Sequence, residues 1–137
     1  MPGSFANITI QDDDTLKAIF TNPTVNIPEN AGTYQVGVKL TAFSPNATTL
    51  TAGATIGSAT LNADYSLGTT ILNFSPNDTT TKYFTLNIVD DVLFESNETI
   101  TFGMSGNNGV IATGQQFNGT IIDNDNVPEL SFTAVSS

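Results

Sequence analysis

The feature that most constrains this chain is a period of two, cut into short runs by turn-forming residues. Residues 33–42 (TYQVGVKLTA) alternate apolar with small or polar side chains and put Tyr34, Val36, Val38 and Leu40 on one face. Such alternation suits an extended strand, whose side chains point to opposite faces in turn, and not a helix of period 3.6. Residues 69–74, 98–104 and 116–122 behave alike, and 81–89 does so through Tyr83 or through Phe84, Leu86 and Ile88. Breakers separate the runs: Asn22-Pro23, Pro28, Glu29 to Gly32, Ser44-Pro45-Asn46, Ser75 to Asp78 and Gly106 to Gly109. No window carries a convincing helical period. Regularly spaced short strands predict an all-β sandwich or barrel. The predicted strands are 18–27 (bent at Pro23), 33–43, 54–62, 69–74, 81–89, 98–104 and 116–122. If they run up and down in succession, the first, third, fifth and seventh finish at the same end.

At 137 residues the chain is long enough for one domain with its own core. It contains no Cys and no His, which removes disulfides, thiol chemistry, the usual zinc ligands and the usual general base. No Ser lies near a base, and a paired-carboxylate hydrolase needs a cleft rather than a crowded tip. The chain is therefore not expected to be an enzyme. Thirteen acidic residues face three basic ones, Lys17, Lys39 and Lys82. That balance repels nucleic-acid phosphates and anionic membranes and favours cations as small partners. No run of 18 apolar residues is present, so no helical membrane insertion is expected. Residues 1–15 lack a signal-peptide pattern. Abundant Asn and Thr with scarce Lys suit a long secreted or surface chain, and an extracellular or cell-surface location is expected. Five Asn-x-Ser/Thr sequons, at Asn7, Asn46, Asn77, Asn97 and Asn118, arise readily by chance in such a composition. Phe20, Phe74, Phe84, Phe94, Phe102 and Phe117 are expected in the core.

The two ends of the chain resemble each other at an offset of 112 residues. Residues 8–21 read ITIQDDDTLKAIFT and residues 120–133 read TIIDNDNVPELSFT. Each has a β-rich run, an acidic knot, a short link and a new strand ending in Phe-Thr. Residues 1–14 are thus expected to be the tail of a preceding repeat or a linker, 15–126 one domain, and 127–137 the start of a following repeat or a linker.

The acids are not scattered. Glu29 follows the first predicted strand, Asp64 the third, Asp90 and Asp91 the fifth with Glu95 and Glu98 completing its loop, and Asp123 and Asp125 the seventh. Eight carboxylates from four loops converge on one end. Asp12, Asp13 and Asp14 form the equivalent knot of the preceding repeat, and only Asp78 and Glu129 stand apart. Two carboxylates about 4 Å apart repel by about 4 kcal/mol at an effective dielectric near 20. Such a cluster persists by protonating, splaying or binding cations. Oxygen-only donors suit a hard cation, and irregular geometry with many ligands suits Ca2+ better than Mg2+. This many carboxylates predicts more than one ion. The pattern is not an EF-hand, because Asp123-Asn124-Asp125-Asn126 lacks the following Gly and the distant Glu.

These residues resemble the Calx-beta domain family. The marks are Glu29-Asn30-Ala31-Gly32, Ala63-Asp64-Tyr65, Phe74-Ser75-Pro76-Asn77, the long acidic loop from Ile88 to Glu98, and Ile122-Asp123-Asn124-Asp125, spread over residues 18–125. The resemblance implies a seven-stranded immunoglobulin-like Greek-key β-sandwich with calcium at one tip. It implies metal ligation by Glu29, Asp64, Asp90, Asp91, Glu95, Glu98, Asp123, Asn124 and Asp125, with the carbonyl of Leu93. Val92 stands where a third Asp often follows the pair, and Asn124 where Asp is common, so up to two charges are missing from the fullest pattern. In this family a calcium-binding module of an extracellular array, stiffened by calcium at its junctions, is the expected role. A calcium sensor regulating an attached effector is the alternative. The expected partners are calcium ions and neighbouring repeats of the same chain, and the isolated module is expected to be a monomer.

Overall fold

A computed structural model of the chain describes residues 3–11, 14–112 and 114–135. Among the described residues nine strands form two sheets: β1 (Ala18–Phe20), β2 (Thr24–Pro28), β3 (Thr33–Leu40), β4 (Thr48–Gly57), β5 (Tyr65–Leu67), β6 (Ile71–Phe74), β7 (Lys82–Ile88), β8 (Glu98–Gly106) and β9 (Phe117–Ile122). One sheet has the order β1-β3-β7-β5 and the other β2-β9-β8-β4-β6. A single 3-10 turn, Glu29–Ala31, is the helical element among the described residues. The all-β sandwich is therefore as expected.

The strand plan needs three corrections. The first predicted strand does not merely bend at Pro23. It breaks into β1, antiparallel to β3, and β2, parallel to β9 in the opposite sheet. Proline offers no N–H to continue a ladder, so Pro23 is a natural place to change sheets. The third predicted strand, 54–62, is displaced to β4, where Thr48, Leu50 and Ala52 face inward. Its small Thr, Ala and Gly residues carry little periodic contrast. Residues 58–64 form the following turn instead, with Asn62 in the left-handed region. The short β5 lies where no strand is predicted.

The core is aromatic at its centre. Phe74, Phe84, Phe102 and Phe117 are buried. Phe84 meets Phe102 edge-on at 5.4 Å between centroids, and Phe102 lies 6.0 Å from Phe117. Such tilted contacts set the positive ring edge against a negative face, contributing about 0.5–1.5 kcal/mol per pair beyond burial. Of the two inward options in β7, Phe84, Leu86 and Ile88 are buried while Tyr83 is exposed. Phe94 departs from expectation. It is 48% exposed, because the loop after β7 leaves the sheets altogether.

Candidate metal centre

Strand register, more than loop sequence, assembles the acids. The parallel pair β2–β9 ends with Pro28 opposite Ile122, so the next residues, Glu29 and Asp123, leave the sheet side by side. In the antiparallel pair β8–β9, Glu98 lies opposite Ile121, one step from the same exit. In the facing sheet Tyr65 pairs with Ile88, and Val89 donates its N–H to the Asp64 carbonyl at 2.9 Å. That sets Asp64 beside the start of the loop that carries Asp90, Asp91, Glu95 and Glu98. Gly32 closes the 3-10 turn at φ 72°, a left-handed value costly for a residue with a Cβ, and its carbonyl accepts from Ile88 N–H at 2.9 Å. The turn thereby holds Glu29 down against the other loops.

Two trios result. Carboxylate oxygens of Glu29, Asp91 and Asp125 lie within 4.8 Å of one another, as do those of Asp64, Glu95 and Glu98. A small cleft lined by Glu29, Asp64, Glu95, Ser96, Glu98 and Asp123 joins them. Glu29 is only 6% exposed. Its Oε2 and the Oδ2 of Asp125 are buried without a hydrogen-bond partner among the described residues. Buried carboxylate oxygens normally have a donor, and leaving one bare costs the desolvation of a charge.

The electrostatics record this crowding. Burial pushes the Glu29 carboxyl up, the Asn124 backbone N–H pulls it partly back, and the charges of Asp123, Asp125 and Asp91 raise it further. Glu98 is raised to about 7, first by burial, then by its hydrogen bond with Asp64 and the charges of Asp64, Glu95 and Glu29. Asp125 is raised by burial and by Asp123, Asp90 and Asp91. Asp90 thus enters as a neighbouring charge, outside both trios. Local hydrogen bonds order the rest. Asp64 accepts from the Thr60 backbone N–H, Asp91 Oδ1 from Leu93 N–H at 2.7 Å, and Asp123 Oδ1 from Asp125 N–H at 3.4 Å.

Three neutral supports were outside the expected set. Ser96 lines the cleft. Thr60 anchors Asp64. Asn97 accepts the Asp123 backbone N–H at 3.2 Å through its Oδ1 and so ties the long loop to the terminal knot. Its position between Ser96 and Glu98 in the acidic loop is the signal that could have marked it. Asp12 and Asp13 lie outside the described residues, and Asp14 and Asp78 sit at the other end of the sandwich, past the far ends of β3 and β6.

Every donor in the cluster is an oxygen, which fits a hard cation and not a soft one. The Calx-beta domain family model matches residues 11–125. The apo form of a Calx CBD1 domain superposes with a TM-score of 0.73 at 21% identity, over 82% of this chain and all of that domain. A structure described as the calcium binding domain CBD12 of CALX1.1 gives 0.71 at 22% identity, over 80% of this chain, which spans 45% of that protein's length. A Calx CBD2 domain gives 0.56 at 19% identity, over 64% of this chain and 54% of that one. A search of curated proteins by sequence returns no match.

Proposed function

The chain belongs to the Calx-beta domain family, and from that premise we propose that it is a calcium-binding module of an extracellular or cell-surface array, in which calcium at the acidic pole rigidifies the domain and its junction. The observation that carries the proposal is the bare, buried Oε2 of Glu29, a member of one carboxylate trio that also lines the cleft of the other. A divalent cation supplies the positive charge that the fold itself withholds. In this reading Glu29, Asp91 and Asp125 hold one ion and Asp64, Glu95 and Glu98 another. Asp90, Asp123 and Asn124 contribute from the rim, the Leu93 carbonyl from the loop, and Glu29 stands between the two sites. Calcium accepts six to eight oxygens in irregular geometry, whereas magnesium demands a tight octahedron.

The array part of the proposal rests on the internal repeat. Residues 5–10 share the Phe-x-x-x-x-Ile frame of β9, yet Phe5 is 95% exposed where its counterpart Phe117 is fully buried. Leu130 and Phe132, counterparts of the buried Ala18 and Phe20, are also exposed. Both terminal segments therefore carry strand patterns whose apolar faces find no cover within this domain. In this reading they are the last strand of a preceding repeat and the first strand of a following one. Asp123 to Asp125 lead directly into Val127-Pro128, so an ion that pins the knot also pins the exit of the chain.

Calorimetric titration with calcium, with magnesium as control, tests the reading together with thermal melts in calcium and in chelator. Binding near the millimolar range with a large gain in melting temperature is expected, as for extracellular modules. Absence of heat and of any melting shift at millimolar calcium refutes it. Submicromolar affinity with a marked change of shape assigns the module to calcium sensing instead.

A further inference from the structure

The sandwich has a second pole, and it differs in character. All three lysines of the chain gather there: Lys17 bridges to Ile111 just before β1, Lys39 pairs opposite Ile19, and Lys82 pairs opposite Val38. The eight residues of β3 separate this end from the acidic pole by roughly 25 Å at strand rise. A cleft of about 940 Å³ opens at the lysine pole, lined by Asp14, Leu16, Lys39, Phe43, Asn46 and Asn108 among others. Phe43 is 72% exposed at its mouth.

At the opposite pole the loop between β7 and β8 ends in an apolar crest beside the carboxylates. Val92 is 87%, Leu93 60% and Phe94 48% exposed. Neither the crest nor Phe43 has an apolar cover in this domain. Asp14, in the cleft, is the counterpart of Asn126 at the 112-residue offset, and Asn126 directly follows the acidic knot. From Asp13, the counterpart of Asp125, to the first bridged residue, Lys17, is four residues, which reach at most about 14 Å. A preceding repeat joined in this register would therefore have its acidic tip close to this cleft.

Resting on the array reading above, we infer that the lysine-pole cleft is the seat of the preceding repeat's acidic tip, with the Val92–Phe94 crest of one repeat against Phe43 and Leu16 of the next. The occupant is the adjacent copy in the same chain. Chain length brings the two surfaces together, opposite charge orients them, and each covers apolar side chains that the other leaves exposed. At physiological ionic strength charges are screened beyond about 8 Å, so Lys17 and Lys39 act only if the poles touch. Contact of this kind is heterologous, and repetition of it builds a linear stack.

The test uses a tandem in natural register, residues 1–126 followed directly by residues 15–137. The chain has no Cys, so Thr51→Cys in each repeat gives two spin labels on the exposed side of β4. In calcium, pulsed electron paramagnetic resonance is expected to give one narrow inter-label distance distribution. Lys39→Glu or Phe43→Ser in the second repeat, or Val92→Ser in the first, is expected to broaden it at least twofold. The single chain carrying Lys39→Glu or Phe43→Ser is expected to melt and to bind calcium as the unsubstituted chain does. A distribution that is broad from the start, or that stays narrow through all three substitutions, overturns the docking. If the single chain takes up no calcium, the calcium reading falls by itself, and the three substitutions still decide whether the poles dock.

Discussion

The two poles of the sandwich handle carboxylates in opposite ways. At the lysine pole Asp78 lies 2.8 Å from Lys82 Nζ and accepts from the Thr80 hydroxyl at 2.6 Å and from its N–H at 2.9 Å. Those donors hold its carboxyl down at about 2. At the acidic pole burial first, then the hydrogen bond with Asp64 and the charges of Asp64, Glu95 and Glu29, push Glu98 up to about 7. The residue chemistry is nearly the same, and the difference lies in what the chain places alongside. At the lysine pole this carboxylate is satisfied from within the fold. At the acidic pole the fold gathers carboxylates with no lysine among them, and under the proposed function a dissolved cation supplies the balancing charge.

The sharpest way to break that contrast is to withhold the cation. At free calcium 100-fold above the dissociation constant, each independent site adds roughly 2.7 kcal/mol to folding. Melts with and without chelator are thus expected to differ by several degrees at least, and identical melts would mean that the acidic pole needs no counterion. Next in size is Glu29→Gln. It removes one charge from the most buried position, and a loss of at least about tenfold in calcium affinity, about 1.4 kcal/mol, is expected by calorimetry. In chelator the sign reverses. The variant is expected to melt higher than the unsubstituted chain, because an uncompensated buried carboxylate has gone.

A pH series sharpens the comparison further. The raised carboxyls of Glu29, Glu98 and Asp125 hold protons in the folded chain that the unfolded chain has already released. The folded state therefore binds more protons between the ordinary carboxylate value and the raised one. Without calcium, stability is expected to be greatest at the acidic end of that window and to fall as pH rises from 4.5 towards 7, the interval of Glu98. Calcium should abolish the fall and bind more weakly as pH drops below 7. Asp78 has the opposite sign, since its depressed value contributes stability that disappears as pH falls from 3.8 towards 2. The smallest effect is expected for Asp78→Asn. A surface ion pair of this type contributes little, so melting at neutral pH should shift by a few degrees at most, with calcium binding unchanged.

Much of this contrast was legible in the sequence, and what was not has physical causes. β3, β7, β8 and β9 announce themselves because Val, Ile, Leu and Phe alternate with polar residues at full contrast. β4 does not, because Thr, Ala and Gly differ too little in hydropathy to mark a face. The switch of sheet at Pro23 follows from long-range partners, β3 for one half and β9 for the other, which local pattern cannot contain. The family of acids was visible, and so was their convergence, since strand parity alone puts alternate loops at one end. Their division into two trios was not, because it depends on the registers Pro28 to Ile122 and Tyr65 to Ile88. Phe94 was misplaced for a related reason. Its loop runs outward to carry carboxylates and takes an aromatic ring with it.

The parallel pairing of β2 with β9 has a mechanical consequence. Five consecutive residues of β2, Thr24 to Pro28, run beside Asn118 to Ile122 in the same direction. β2 is entered from the lysine pole, and β9 leaves at the acidic one. Force pulling the two ends of the chain apart would thus slide these neighbours lengthwise, loading the hydrogen bonds of the ladder together instead of peeling them singly. The patch that bears the shear ends at Glu29 and Asp123, so a cation held there would act as a rivet at the end of the seam.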